Sequence, residues 1–358
     1  MSSQSAPGSP PGPPLPGMFA RYKDLVEQGL AAALPDPGLD LADLNIPLQY
    51  HLGWTDKDGI PATAPSSQGK ALRPTLCMFA CDALDGDLNH AVCAAASIEL
   101  IHNFSLIHDD IQDQDVERRH QPTVWSLWGQ PKALSAGDSM HCLGDLAMLR
   151  GAQWGVSPQT AVKVSRILTE AYMEMFEGQC LDLGFEERTT ITIDEYLHMI
   201  ACKTGALIRS AVEIGALLAN EDPAVTVAFA SFGNYLGRAF QIRDDYLGVW
   251  GDEAATGKST DNDIRRRKKS FPAVFALDRA SGAARDDLHR IYAQEELNDT
   301  DVERVMTIMD ELGAPQYADR ITAESADLAL RALASIDLPV WVRSEVDQLV
   351  DFLAHRQY

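Results

Sequence analysis

The run IELIHNFSLIHDDIQDQDVERR, residues 98–119, constrains this chain more than any other stretch. Its apolar residues recur every three and four positions, which specifies a helix. That helix passes directly into Asp109, Asp110 and Asp113, and then into Arg118 and Arg119. On a helix Asp109 and Asp113 stand one turn apart, about 6 Å along the axis and on one face. Like charges so placed repel each other, and acids at a helix C-terminus also run against the macrodipole. A solvated acidic helix end is the bland alternative. A bridging hard cation relieves the conflict, and an oxygen-only ligand set without His or Cys favours Mg²⁺ joined to substrate phosphate.

Helical periodicity continues through residues 20–34, 89–112, 133–150, 158–182, 193–219, 223–250, 271–280 and 318–335. Ser157-Pro158, Asp222-Pro223 and Thr192 with Glu195 read as helix starts, the last as a capping box. Pro/Gly-rich connections fall at 35–66 and 251–262, strand-like alternation bounded by hairpin turns is missing, and no fixed repeat appears. The expectation is an all-α multi-helix bundle: a Pro/Ser/Gly-rich leader over 1–18 and one helical domain over 19–358.

The formal charge of −22 argues against a nucleic-acid surface. An anionic substrate would therefore need locally concentrated positive charge. No run approaches the roughly eighteen uninterrupted apolar residues of a membrane span. The start lacks the pattern of a secretory signal, so a cytoplasmic location is expected. The six cysteines show no CxxC pair and sit mostly among apolar residues, as reduced thiols would.

Candidate cations are Lys70 and Arg73 in QGKALRP, three apart at the start of a helix. Alone they read as a solvated basic turn. His102 shares a helix face with Asp109, two turns earlier; a lone histidine there is more often a core residue. Lys203-Thr204 puts an ammonium and a hydroxyl inside the apolar segment IACKTGALI, where an unpaired lysine must find an anion or snorkel to solvent. A second acidic cluster, Asp244-Asp245, ends FQIRDD with Gln241 three residues before it, but position 248 is glycine, so the i+4 carboxylate is absent. Lys258, Asp263 and the basic run 265–269 follow, as a solvated loop or as a lysine gate beside a diphosphate.

GKALRP, ELIHNFSLIHDDIQDQDVERR, KTG, FQIRDD and GKSTDNDIRRRKKSFP, in that order, resemble the trans-isoprenyl diphosphate synthase (polyprenyl synthetase) family. The resemblance implies helices around a deep central cavity, a homodimer, and Mg²⁺-dependent head-to-tail condensation of isopentenyl diphosphate with an allylic prenyl diphosphate. It implies Asp109, Asp113 and Asp244 as metal ligands. Arg118, Lys203 and Lys258 would grip the allylic diphosphate, with Thr204 and Gln241 near the developing carbocation. Lys70, Arg73, His102 and Arg119 would hold isopentenyl diphosphate. Three positions depart from the family pattern: Ala71, His120 and Gly248.

Phe104 and Ser105 lie five and four residues before Asp109, about 6 to 7.5 Å toward the cavity floor. Phe104 is either the floor that limits tail length or a packing residue of the core. By resemblance, an aromatic at the fifth position alone implies a geranylgeranyl (C20) product, with farnesyl (C15) as the alternative. A weakly catalytic regulatory subunit and a class I terpene cyclase are the other readings. The cyclase needs a second motif carrying Asn, Ser and Glu, which FQIRDDYLGVWGD lacks.

Overall fold

The computed structural model describes residues 15–35, 42–62, 69–251 and 261–356. The helices in chain order are α1 (Met18–Ala33), α2 (Ala42–His51), α3 (Leu72–Asp82) and α4 (Leu88–Gln112). A two-residue hairpin of β1 (Glu117–Arg118) and β2 (Gln121–Pro122) comes next, then α5 (Val124–Trp128), α6 (Gln130–Arg150) and α7 (Pro158–Glu186). Helices α8 (Ile193–Ile200) and α9 (Ala206–Ala219) are joined by a wide π turn over Ala201–Gly205. The long α10 (Pro223–Trp250) precedes α11 (Asn262–Arg265), α12 (Phe271–Arg279), α13 (Gly282–Tyr292), α14 (Asp299–Glu311), α15 (Ala314–Ala332) and α16 (Val340–His355).

The expected helix starts form for the expected reasons. Ser157 accepts from the Thr160 amide, Asp222 from the Ala224 amide, and Thr192 and Glu195 make the reciprocal capping box. Each such cap is worth about 1 kcal/mol.

Helix α4 is the axis of the first core. It is long and apolar enough to cross a bilayer by composition, yet 78% of that window is buried inside the fold. Its small residues Ala94, Ala95, Ala96 and Ser97 let neighbours come close, and Ser97 donates to the Gly144 carbonyl of α6 at 2.7 Å. Phe79, Phe229 and Phe232 are wholly buried in the same core, each contributing roughly 1.5–3 kcal/mol. A second core gathers Tyr196, Phe271, Phe275, Val305 and Ile308 from α8, α12 and α14. Helix α10 belongs to both, through Leu236 in the first and Ile242 and Val249 in the second. Its acidic end is therefore held between two packed bodies.

Several expectations change. Met18, placed in the leader, opens α1 and is wholly buried; residues 1–14 lie outside the described residues. The connection at 35–66 contains α2, which accommodates Pro47. Residues 193–219 are not one regular helix, because the backbone widens at 201–205. Lys70 does not share a helix face with Arg73: Ala71 turns left-handed at φ 47°, so α3 begins only at Leu72. The hairpin was missed because its strands are too short for alternation to register. Its two turn residues, Arg119 (φ 52°) and His120 (φ 62°), adopt the positive φ that a two-residue hairpin demands. All six cysteines are free, and Cys142 and Cys180 are exposed rather than buried.

Candidate active site

Helix α4 delivers the first motif as its last turn. Asp113 caps the helix, its amide donating to the Asp109 carbonyl at 2.8 Å. Burial pushes the Asp109 carboxyl up from the usual range and Asp113 adds to this, while Lys203 opposes it. Asp110 points the other way into the protein. Its Oδ1 accepts from Arg118 Nε at 2.7 Å, and its Oδ2 is buried without a partner. Burial raises this carboxyl to about 6 despite the guanidinium. Arg118 is thereby tied to the back of the motif.

The π turn sets the facing wall. Lys203 pairs with Asp182 of α7 at 2.5 Å, which answers the question of its countercharge. Helix α7 comes so close here that a side chain at Gly178 would collide with the Lys203 backbone. Widening the helix turns Lys203 and Thr204 onto adjoining faces, as π turns at functional sites commonly do. Thr204 donates to Gln241 Oε1 at 2.8 Å, and Gln241 Nε2 donates to Asp245 Oδ1 at 2.8 Å.

The second motif divides its labour. Asp245 is buried; its Oδ2 accepts from the Tyr196 hydroxyl and, at 2.7 Å, from the Phe271 amide. Burial lifts its carboxyl to about 6. Asp244 stays open to solvent and pairs with Arg356 at 2.8 Å. Arg356 in turn lies over the Phe240 ring at 4.3 Å. Lys70 and Arg73 both lie in the field of Asp244.

Arg73 Nη1 meets His102 Nε2 at 3.3 Å, while Arg73 Nε is buried without a partner. Burial, then Arg73, Arg119 and Arg118, holds the His102 ring neutral, far below its usual range. His51 joins the same group, with Nε2 buried and unpartnered; burial and the two arginines push it down to about 3. His51, Asp110, Arg118, Arg119 and Gln121 line one cleft at the hairpin. The concentrated positive charge expected of an acidic protein with an anionic ligand is thus present. His51 gave no sequence signal, since its helix is obscured by Pro47 and lies far from the motifs.

The basic run 265–269 is sorted by the fold. Arg265 pairs with Asp261 and Asp299, Arg266 with Asp115, and Arg267 with the Gln294 carbonyl. Lys269 is buried against Tyr292 at 4.3 Å. Arg266 also donates to the Asp113 carbonyl at 2.8 Å, at the end of the first motif, while Lys268 faces carboxylates of both motifs. The Lys268 side chain keeps contact with solvent. The surrounding protein works against its charge, yet Asp263, Asp182, Asp245 and Asp113 outweigh this and raise its pKa. Sequence reasoning took the run as a block and did not single out Lys268. Lys258 lies outside the described residues.

Below the first motif, Phe104 packs edge-on against Phe176 at 5.8 Å and beside His141 at 5.1 Å. Tyr172 closes the group at 4.9 Å from His141 and 5.7 Å from Phe176. Ser105 adds no bulk; its hydroxyl turns back to the His102 carbonyl at 2.8 Å.

Among the described residues no three acidic, His or Cys side chains converge to cage one metal ion. Asp109 and Asp113, with Lys203 facing Asp109, and Asp244 at the second motif do fit Mg²⁺, which takes one or two carboxylates and fills its shell with water and substrate phosphate. Burial that leaves Asp109 short of compensating charge points the same way.

A family model described as polyprenyl synthetase matches residues 61–309. The chain is 36% identical to a (2E,6E)-farnesyl diphosphate synthase of Mycobacterium tuberculosis, over 98% of each chain. It is 39% identical to a geranylgeranyl diphosphate synthase of the same organism, over 79% of each. Among solved structures, a polyprenyl synthetase from Streptomyces coelicolor superposes with a TM-score of 0.84 at 33% identity, covering 94% of this chain and 98% of that one. A polyprenyl synthase from Caulobacter crescentus, complexed with calcium and isoprenyl diphosphate, superposes with a TM-score of 0.81 at 25% identity, covering 95% and 97%.

Proposed function

The chain belongs to the polyprenyl synthetase family and is a prenyltransferase, and we propose that it condenses isopentenyl diphosphate with allylic diphosphates to give geranylgeranyl diphosphate. The observation that carries this reading is the pair of lysines held among the carboxylates of the two acidic clusters. Lys203 pairs with Asp182 and faces Asp109, Lys268 faces Asp263, Asp182, Asp245 and Asp113, and the Phe104 and Phe176 rings meet below the first motif.

In this reading Asp109, Asp113 and Asp244 hold Mg²⁺ against the allylic diphosphate. The calcium and isoprenyl diphosphate bound by the Caulobacter relative support a divalent cation with this class of ligand. Bound Mg²⁺ supplies charge neutralisation to the departing diphosphate. Lys203 and Lys268 add fixed positive charge on the same side, with no reorganisation needed as the C–O bond breaks. Lys258 is assigned with them on family resemblance. Thr204 and Gln241 place oxygen dipoles near the carbocation, and the apolar wall of α4 and α7 keeps water from it. Arg73, His102, Arg119 and Lys70 orient isopentenyl diphosphate so that its double bond faces the cation. Arg118 braces Asp110 and reaches the same diphosphates. Loss of a proton from the new chain, with diphosphate as acceptor, completes the elongation by five carbons.

An aromatic at position 104 with the small Ser105 beside it supports C20 over shorter products, Phe104 being the ring of its cluster one turn below Asp109. A homodimer is part of the same proposal, and light scattering of the purified protein tests it. The deciding experiment supplies Mg²⁺, isopentenyl diphosphate and C5, C10 or C15 primers, then sizes the products. Elongation of all three to C20 is expected. Arrest at C15 would make it a farnesyl diphosphate synthase, a cyclised hydrocarbon would make it a cyclase, and no elongation of any primer would end the synthase reading.

A further inference from the structure

The glycine at position 248 leaves the second motif one carboxylate short, yet the space is not empty. Residue 248 lies one turn beyond Asp244 on α10, so a side chain there would share the face of Asp244. A Cβ placed on Gly248 would stand 2.5 Å from Oδ2 of Asp263 and 3.3 Å from its Cγ. Standard bond lengths put an aspartate's own carboxylate oxygens about 2.4 Å from its Cβ. An oxygen of Asp263 therefore lies as close to position 248 as the carboxylate oxygen of an aspartate there would. We propose that Asp263, reaching in from α11, supplies the carboxylate that the second motif lacks at Gly248.

Two further observations join Asp263 to the site. It is foremost among the carboxylates that face Lys268, and the others are Asp182, Asp245 and Asp113, members or neighbours of both acidic clusters. The backbone also fixes it: the Lys268 amide donates to the Asp263 carbonyl at 2.9 Å, so the acid and its facing lysine move as one turn. Glycine at 248 and aspartate at 263 are consequently coupled choices. Any side chain at 248 must displace the Asp263 carboxylate. As a positioning residue, Asp263 faces Lys268 and would orient water on a cation held at Asp244. Gly248 is then a relocation of the third acid, and the reading of this chain as an inactive regulatory subunit loses its motive.

This inference rests on the proposed function, and a swap separates the two. Binding of inorganic pyrophosphate is measured by calorimetry across a Mg²⁺ series for the full chain and for Asp263→Asn, Gly248→Asp and the double variant. Metal-free melting temperature is measured beside it. Asp263→Asn should raise the Mg²⁺ concentration for half-maximal pyrophosphate binding about tenfold. Gly248→Asp alone should bring no gain, because two carboxylates compete for one space. The double variant should return to within about threefold of the unaltered chain. An unchanged Mg²⁺ dependence in Asp263→Asn, or a double variant no better than it, would overturn the assignment. A fall in metal-free melting temperature with unmoved Mg²⁺ dependence would reduce Asp263 to a structural partner of Lys268 and overturn it too. An unaltered chain that binds no Mg²⁺–pyrophosphate at all would defeat the functional reading along with this one.

Discussion

The Thr204 hydroxyl and Gln241 are joined across 2.8 Å, and this bond ties the π turn to the second acidic cluster. Gln241 passes the link on to Asp245, which Tyr196 and the Phe271 amide hold from the other core. Replacing Gln241 with Leu cuts both ends. It leaves a buried carboxylate one donor short, at a cost of about 1–3 kcal/mol. Urea unfolding should show that loss, and kcat should fall on the order of tenfold or more. Unchanged stability would mean that water replaces the amide at no cost.

Metal dependence follows from the paired carboxylates of the first motif. Chelation should stop elongation, Mg²⁺ should restore it, and Asp109→Ala should lower kcat on the order of 10²–10³-fold. The same variant should fold normally, since it removes a carboxyl whose burial is unfavourable. Full activity in Asp109→Ala would remove the first motif from the chemistry.

Product length should respond to the floor. Phe104→Ala opens space against Phe176 and His141 and should shift products beyond C20. Chromatography of the extracted alcohols checks this. A product of unchanged length would leave Phe104 as core packing only.

Acid should destabilise the substrate-free protein through its enclosed histidines. His51 is held at about 3 in the folded chain, against roughly 6.5 when unfolded. Between those values the unfolded state binds the extra proton, so the stability present above pH ~6.5 is lost as pH falls. The slope approaches about 1.4 kcal/mol per pH unit for one such group. His51→Gln should flatten the fall between pH ~7 and ~5 in urea titrations. Parallel profiles for the two proteins would contradict the assignment.

The turn at Arg119 and His120 carries backbone strain, since both adopt positive φ. His120→Gly relieves one of these positions and should stabilise the fold by about 1 kcal/mol or less. Thermal melting measures it; a destabilised variant would show that the His120 side chain contributes more than its backbone costs.

Much of this protein is local physics and was legible in its residues. Apolar spacing specified the helices that carry the motifs, caps placed their starts, and an i, i+4 relation put Asp109 and Asp113 on one face. Lys203 in an apolar segment predicted a countercharge without naming it. Helices α13, α14 and α16 escaped notice because their buried faces are short stripes within polar sequence.

What only the tertiary structure decided is which chemically equivalent residue does what. Asp244 and Asp245 are adjacent and identical in type. One is open beside Arg356; the other is buried under Tyr196 and Phe271, because helix α10 turns one side to solvent and the other to the second core. Five consecutive basic residues look alike in sequence, yet Lys268 faces carboxylates of both motifs, Arg266 braces the end of the first, and the other three turn elsewhere. The vacancy implied by Gly248 is filled by a residue fifteen positions later. Periodicity encodes which face of a helix is apolar. It carries no record of what a distant segment will place against that face, and at Gly248 that placement supplies the second motif's remaining acid.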